Sequence, residues 1–132
     1  MTISTQLYQG EHIRLGAIDY EKDPAVESRW THDSQYLHSL GPQLARPLAP
    51  AQVKKRYEAI EKEIDKSKNA FYFTIRSLDD DALLGFVRLF WIEWTNGTGG
   101  IQIAIGNSKE RDQAYASEAL QLVLRLVRKL VA

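Results

Sequence analysis

Three strand-like runs separated only by turn signals occupy the middle of the chain, and no other feature constrains its fold as much. Phe71-Tyr72-Phe73-Thr74-Ile75 is aromatic and β-branched, the chemistry that suits a pleated, half-buried surface. Asp79-Asp80-Asp81 turns the chain, as short polar side chains that bond their own backbone do. Leu83 to Trp94 is the longest run, with Gly85 as an expected bulge. Asn96-Gly97-Thr98-Gly99-Gly100 turns the chain again, and Gly100 to Gly106 is the third strand. Such tight turns make a meander, so the sheet is expected to be mixed or mainly antiparallel.

The flanks supply one more strand and the helices. Ile13, Leu15 and Ala17 alternate with His12, Arg14 and Gly16, which predicts a strand over His12 to Ile18. Asp23-Pro24 is a helix start, with Asp23 as N-cap and Pro24 at the first helical position. That helix runs through Trp30, with a further turn or two over Asp33 to Leu40, until Gly41-Pro42 breaks it. Pro50 opens the next helix, where Val53, Tyr57, Ile60 and Ile64 form one apolar stripe and the charges of Lys54 to Lys68 form a solvated face. A last helix spans Gln113 to Leu130. Its wheel places Ala116, Ala119, Leu120, Val123, Leu126, Val127 and Leu130 on one face, with Leu122 and Leu124 beside them.

A chain of 132 residues, 44% hydrophobic and 26% charged, is long enough for one domain with a real core. We therefore expect a single α+β domain over residues 1–132. There are no cysteines, which removes disulfides, thiolate metal sites and a cysteine nucleophile. Basic and acidic residues both total 17, so a broad basic face for nucleic acid is not expected. The apolar stretches are too short or too charged to span a bilayer. The first residues lack a basic segment followed by an apolar one. A cytoplasmic protein without a membrane partner is the expectation. His12, His32 and His38 do not have zinc-ligand spacing, and the three aspartates lack further acids at calcium-loop spacing, so no metal is expected.

The junction from Ile105 to Ser117 is the first place where chemistry could sit. A strand ends, a polar loop follows, and small residues open a helix. Free N–H groups at a helix N-terminus, together with the helix dipole, favour phosphate. Arg111 or Lys109 could add charge there.

With this order of elements, Leu84-Gly85-Phe86-Val87-Arg88-Leu89, Ile92-Glu93-Trp94-Thr95-Asn96 and Ile105-Gly106 through Ala119-Leu120 resemble the GNAT superfamily of acyl-CoA N-acyltransferases, in particular its RimJ/RimL-like branch. The resemblance implies a GNAT-like fold and an acetyl-CoA-dependent N-acetyltransferase. Its acceptor would be a primary amine: a protein or peptide N-terminus, a polyamine or another small amine. The family's pyrophosphate loop, Arg/Gln-x-x-Gly-x-Gly/Ala, falls on Arg111, Asp112, Gln113, Ala114, Tyr115 and Ala116. The backbone of Ile103, Ala104 and Ile105 would hold the thioester arm. The two early helices form the substrate side in this family, which makes Trp30 and Tyr36 the candidate acceptor-pocket residues.

The chain departs from the family pattern at three places. Ala114 stands where the loop has its first glycine, and its methyl would crowd a phosphate oxygen. Gly99-Gly100 stand where many relatives have a glutamate, leaving Glu93 as the nearest carboxylate in sequence to act as base. The family also continues beyond this helix with further strands and a helix. The alternative implied by these departures is a catalytically degenerate module that binds CoA or dimerises. A homo-oligomer is expected in either case, because an open sheet edge and a wide apolar helix arc seek partners.

Overall fold

A computed structural model describes residues 8–33, 36, 46–67, 70–93, 98–106 and 115–131. The elements in chain order are β1 (Ile13–Gly16), α1 (Asp23–Trp30), α2 (Pro50–Ser67), β2 (Phe71–Ser77), β3 (Leu83–Glu93), β4 (Thr98–Ile105) and α3 (Tyr115–Val131). The strands form one sheet in the order β1-β2-β3-β4, and every neighbouring pair is antiparallel. The expected α+β architecture is present, with a sheet that is antiparallel throughout its described strands.

Strand alternation sorts the side chains onto two faces. One face carries Ile13, Leu15, Ile75, Val87, Leu89 and Ile105, and α3 covers it with Ala119, Leu122 and Val123 to form the main core. The opposite face carries Phe86 and Ala104, packed with Tyr36, Trp30 and Tyr72. A third cluster, Leu48, Val53 and Tyr57, belongs to α2 and the segment leading into it. The sheet thus lies between α3 on one side and the α1–α2 pair on the other, two layers of helix around one sheet.

Local differences from the expected pattern have physical causes. The register between β2 and β3 shifts at Ile75/Arg76, and Gly85 lies opposite Ile75 next to that shift. A side chain on Gly85 would place its Cβ 2.0 Å from the carbonyl oxygen of Ala104, so the strands can approach here only because the residue is glycine. Asp23 is not the N-cap of α1. Lys22 occupies that position without a side-chain cap. The Asp23 carboxylate turns back to accept from the N–H of Asp19 at 2.8 Å and from Arg76 at 2.6 Å. A buried cation outcompetes the local cap.

The last helix is rotated from the face its wheel suggests. Ala119, Leu122, Val123 and Leu126 are buried, whereas Ala116 is exposed and Leu120 and Leu124 are 37% and 47% exposed. Leu122, expected at the flank, belongs to the core because Glu118 ties the first turns of α3 to the start of β1. Leu130, Arg111–Ala114 and most of the Asp33 to Leu40 turn lie outside the described residues or side chains. Among the described residues, no helix is long and apolar enough to cross a membrane.

Candidate active site

Two features meet where β4 leaves the sheet. The first is the strand's outer edge. The N–H of Gly106 donates to the carbonyl of Leu84 at 2.9 Å, and Gly85 pairs with Ile105 and Phe86 with Ala104. Antiparallel residues alternate between bonding and non-bonding pairs. Ala104 therefore directs its N–H and C=O at β3, while Ile103 and Ile105 turn theirs away from it. Ala104 contributes its small side chain to the opposite face, beside Phe86 and Tyr36. The strand leads toward α3, whose first residues are Tyr115, packed against the main core, and Ala116, exposed. Arg111, Asp112, Gln113 and Ala114 lie outside the described residues.

The second feature is an aromatic wall on the α1 side. The structure brings Trp30 and Tyr36 together with ring centroids 5.5 Å apart. Tyr72 stacks on Phe86 at 5.3 Å, and Arg56 lies over the Phe86 ring at 5.5 Å. The indole of Trp30 lies against Gly106, where an added Cβ would sit only 1.8 Å from the ring. Trp30 is half-buried, whereas Tyr36 is fully buried.

A carboxylate not singled out in the sequence organises that wall. Glu27 is 1% exposed, and its Oε1 accepts from the Tyr36 hydroxyl at 2.5 Å and from Arg56 Nη1 at 3.2 Å. Burial, reinforced by the Glu27 charge, pushes the Tyr36 hydroxyl well above the ordinary tyrosine range. Burial alone would lower the Arg56 pKa, but Glu27 outweighs it and the guanidinium stays charged. Arg56 had a sequence signal: it lies three residues after Val53 and four before Ile60, on the apolar stripe of α2. Glu27 had none, because the buried face of α1 is itself polar, made of Asp23, Glu27 and Ser28 beside Pro24.

Glu93 closes β3 with its Cα opposite Thr98, beyond a register shift after Phe90. Its side chain lies outside the described atoms. Asp79 and Asp80 form the expected turn, which leads into Asp81, whose φ of 60° is one that aspartate tolerates. Asp81 pairs with Arg14. Among the described residues no three His, Asp or Glu side chains come together as a metal site would require.

Glu118 is the other residue that the sequence pattern does not single out. Its carboxylate accepts from the N–H groups of His12 and Ile13 at 3.0 and 2.9 Å and meets the His12 Nδ1 at 3.0 Å. Burial would raise its pKa, but these hydrogen bonds outweigh burial and hold it below the ordinary 4.5. A folded-state pKa below the unfolded one gives stability that is complete above the unfolded pKa and is lost as pH falls through the folded value. Glu118→Gln should therefore cost about 1–2 kcal/mol at neutral pH, the range for hydrogen bonds to a partly shielded charge. It should also flatten the loss of stability expected as pH falls below 4.5. Urea melts at pH 7 and pH 3.5 check this. An equal pH dependence in both proteins would show that Glu118 is not the linked group.

A family model for the acetyltransferase (GNAT) domain matches residues 12–131. No curated protein matches the chain. Among solved structures, a Vibrio cholerae protein provisionally described as a ribosomal-protein-serine acetyltransferase superposes with a TM-score of 0.73 at 18% identity, covering 94% of this chain and 67% of its own. A spermidine N-acetyltransferase chimera built from Vibrio cholerae SpeG and hSSAT gives 0.65 at 14% identity, covering 92% and 66%. RimL, a ribosomal-protein alpha-N-acetyltransferase, gives 0.69 at 16% identity in its apo form, covering 91% and 62%. The chain thus spans about two thirds of the length of these proteins, and at these identities the likeness is one of fold. The family match covers nearly the whole chain, and the sheet and its helices have the architecture of these neighbours: the chain belongs to the GNAT acetyltransferase family.

Proposed function

We propose that this chain is an N-acetyltransferase that moves an acetyl group from acetyl-CoA to a primary amine. The observation that carries the reading is the side of β4 turned away from β3, where the Ile103 N–H points, on a strand that leads to the N-terminus of a long helix. An edge amide is a fixed donor and a helix N-terminus favours anions, so the residues present suit a thioester carrying a pyrophosphate. A neighbour of the same fold, RimL, has been solved with coenzyme A.

In this reading Arg111 to Ala116 hold the pyrophosphate. Acetyl-CoA, when bound, supplies the acetyl group as a thioester. The Ile103 N–H would polarise the carbonyl, and Glu93, whose Cα lies opposite Thr98 five residues before Ile103, would take the proton of the attacking amine through a chain of water. The new bond is C–N and the broken bond is C–S. The amine proton ends on the released thiol. Trp30 faces the acceptor, with the fully buried Tyr36 behind it; that acceptor is of the class named for the neighbours, a protein N-terminus or a polyamine.

Calorimetric titration with CoA tests the donor site, and a thiol-release assay with an N-terminal peptide and with spermidine tests the reaction. Arg111→Ala should weaken CoA by about 1 kcal/mol, roughly fivefold, and more at low salt than at high salt. Ala114→Gly should tighten it by a similar factor if the methyl crowds a phosphate. Equal or weaker binding by the glycine variant would sink the steric argument. No CoA binding by the wild type would sink the donor site.

A second reading is favoured by the apolar side chains left on the surface. Leu124 and Leu120 on α3 are 47% and 37% exposed, and Ile101 on β4 is 41% exposed. With zero net charge there is little repulsion between copies. The chain is expected to self-associate through α3 or the β4 edge. Light scattering over a dilution series should show a dimer that Leu124→Glu shifts toward monomer. A concentrated wild type that stays monomeric removes this reading.

A further inference from the structure

The α1–α2 pair meets the sheet through a polar hub where packing alone would have sufficed. Glu27 on α1 takes the Tyr36 hydroxyl and the Arg56 guanidinium on the same oxygen, the Tyr57 hydroxyl also faces the carboxylate, and among the described residues its Oε2 has no partner within hydrogen-bond geometry. A buried carboxylate oxygen lacking a donor is costly, and an apolar residue of similar volume commonly holds such a junction better. What the carboxylate adds is direction. It fixes the Tyr36 ring by its hydroxyl, and that ring lies against the Trp30 indole. The indole in turn occupies the space that any side chain on Gly106 would need. A continuous set of contacts therefore runs from Arg56 through Glu27, Tyr36 and Trp30 to the residue where β4 leaves the sheet. Trp30 is its half-exposed member, the one an incoming molecule can touch.

We propose that Glu27 is a positioning residue for the acceptor: by holding Tyr36 it sets the Trp30 indole against Gly106, and so fixes the wall of the acceptor side next to the β4 edge. The assignment rests on the acyl-transfer reading above. It places Glu27 outside direct contact with substrate, since only 1% of it is exposed. Its effect falls on the acceptor and leaves the donor alone.

The test uses the whole chain labelled with 5-fluorotryptophan. Its three tryptophans, Trp30, Trp91 and Trp94, give separate fluorine resonances, and Trp30→Phe assigns the first. Tyr36→Phe removes only the hydroxyl that Glu27 holds. It should move or broaden the Trp30 resonance, leave the other two in place, lower kcat/KM for the amine by about fivefold or more, and keep the CoA dissociation constant within about twofold. Glu27→Gln, nearly isosteric, keeps an oxygen for Tyr36 but loses the charge facing Arg56, and should give a smaller change of the same kind. Gly106→Ala pushes the indole from its other side and should reproduce the effect on Trp30 without touching the hub. An unmoved Trp30 resonance in Tyr36→Phe and Glu27→Gln overturns the positioning. A moved resonance with unchanged amine kinetics overturns its bearing on the acceptor. Failure of the wild type to acetylate any amine is a separate result: it overturns the underlying reading, while the resonances still decide whether Glu27 sets Trp30.

Discussion

Arg76→Met is expected to destabilise the fold by about 3–5 kcal/mol, the range for removing one partner of a buried ion pair. Arg76 stands on β2, on the sheet face that receives α1. Its Nη2 donates to Asp23 Oδ2 at 2.6 Å and to the Ala17 carbonyl at 3.1 Å. The two side chains are only 8% and 1% exposed. Without the guanidinium, Asp23 would retain the Asp19 N–H and no counter-charge among the contacts described here. Solvent cannot reach the carboxylate to compensate. Domains of this size have total stabilities of roughly 5–15 kcal/mol, so the variant should lose a large share of its stability. The expected rescue is informative. Asp23→Leu combined with Arg76→Met removes both charges and should recover most of the loss, because an apolar pair of similar volume is often neutral or better. Urea unfolding of the three variants decides it. A loss under about 1 kcal/mol for Arg76→Met would mean that water or another cation screens Asp23.

This pair also shows which parts of the molecule were legible in the sequence. Periodicity reports whether one face of an element is apolar. It located the meander, the α2 stripe and the length of α3, because their buried faces are hydrocarbon: Val53 and Tyr57 on α2, Leu122 and Leu126 on α3. It failed where the buried face is polar. Asp23, Glu27 and Ser28 are all buried on α1, and their partners lie elsewhere along the chain at Arg76, Arg56 and Leu48. No local pattern couples residues 20 to 53 positions apart, so the sequence presents Asp23 as a cap and carries no sign of Glu27. The rotation of α3 has the same origin. Its wheel treats leucines as equivalent, but the hold of Glu118 on the start of β1 selects Leu122 for the core and leaves Leu120 and Leu124 outside. The candidate site was legible in part. Trp30 and Tyr36 do come together, and Ile103 and Ile105 turn their amides outward. The separate role of Ala104 required the pairing register, which a single strand does not reveal.

Glu93→Gln is expected to lower kcat for amine acetylation by about a hundredfold or more, the lower end of what a positioned general base contributes. At neutral pH a primary amine is largely an ammonium ion, and it cannot attack until it loses a proton. A carboxylate near the end of β3 is suited to that transfer. Gly99-Gly100 begins the facing strand where many relatives of this family have a glutamate, and β3 ends at Glu93, opposite Thr98 of that same strand. A carboxylate displaced to the neighbouring strand would act at the same end of the sheet. Gln keeps the size and a hydrogen-bond acceptor but cannot take the proton, so the loss should fall on kcat, with CoA affinity unchanged by calorimetry. Raising the pH deprotonates more amine in solution and should narrow the gap between variant and wild type. This distinguishes a base from a residue that only shapes the strand end, whose loss would be uniform across pH. A hundredfold drop that does not shrink between pH 7 and pH 9, or no drop at all, would return Glu93 to an ordinary strand-end charge. The proton would then have to leave through solvent.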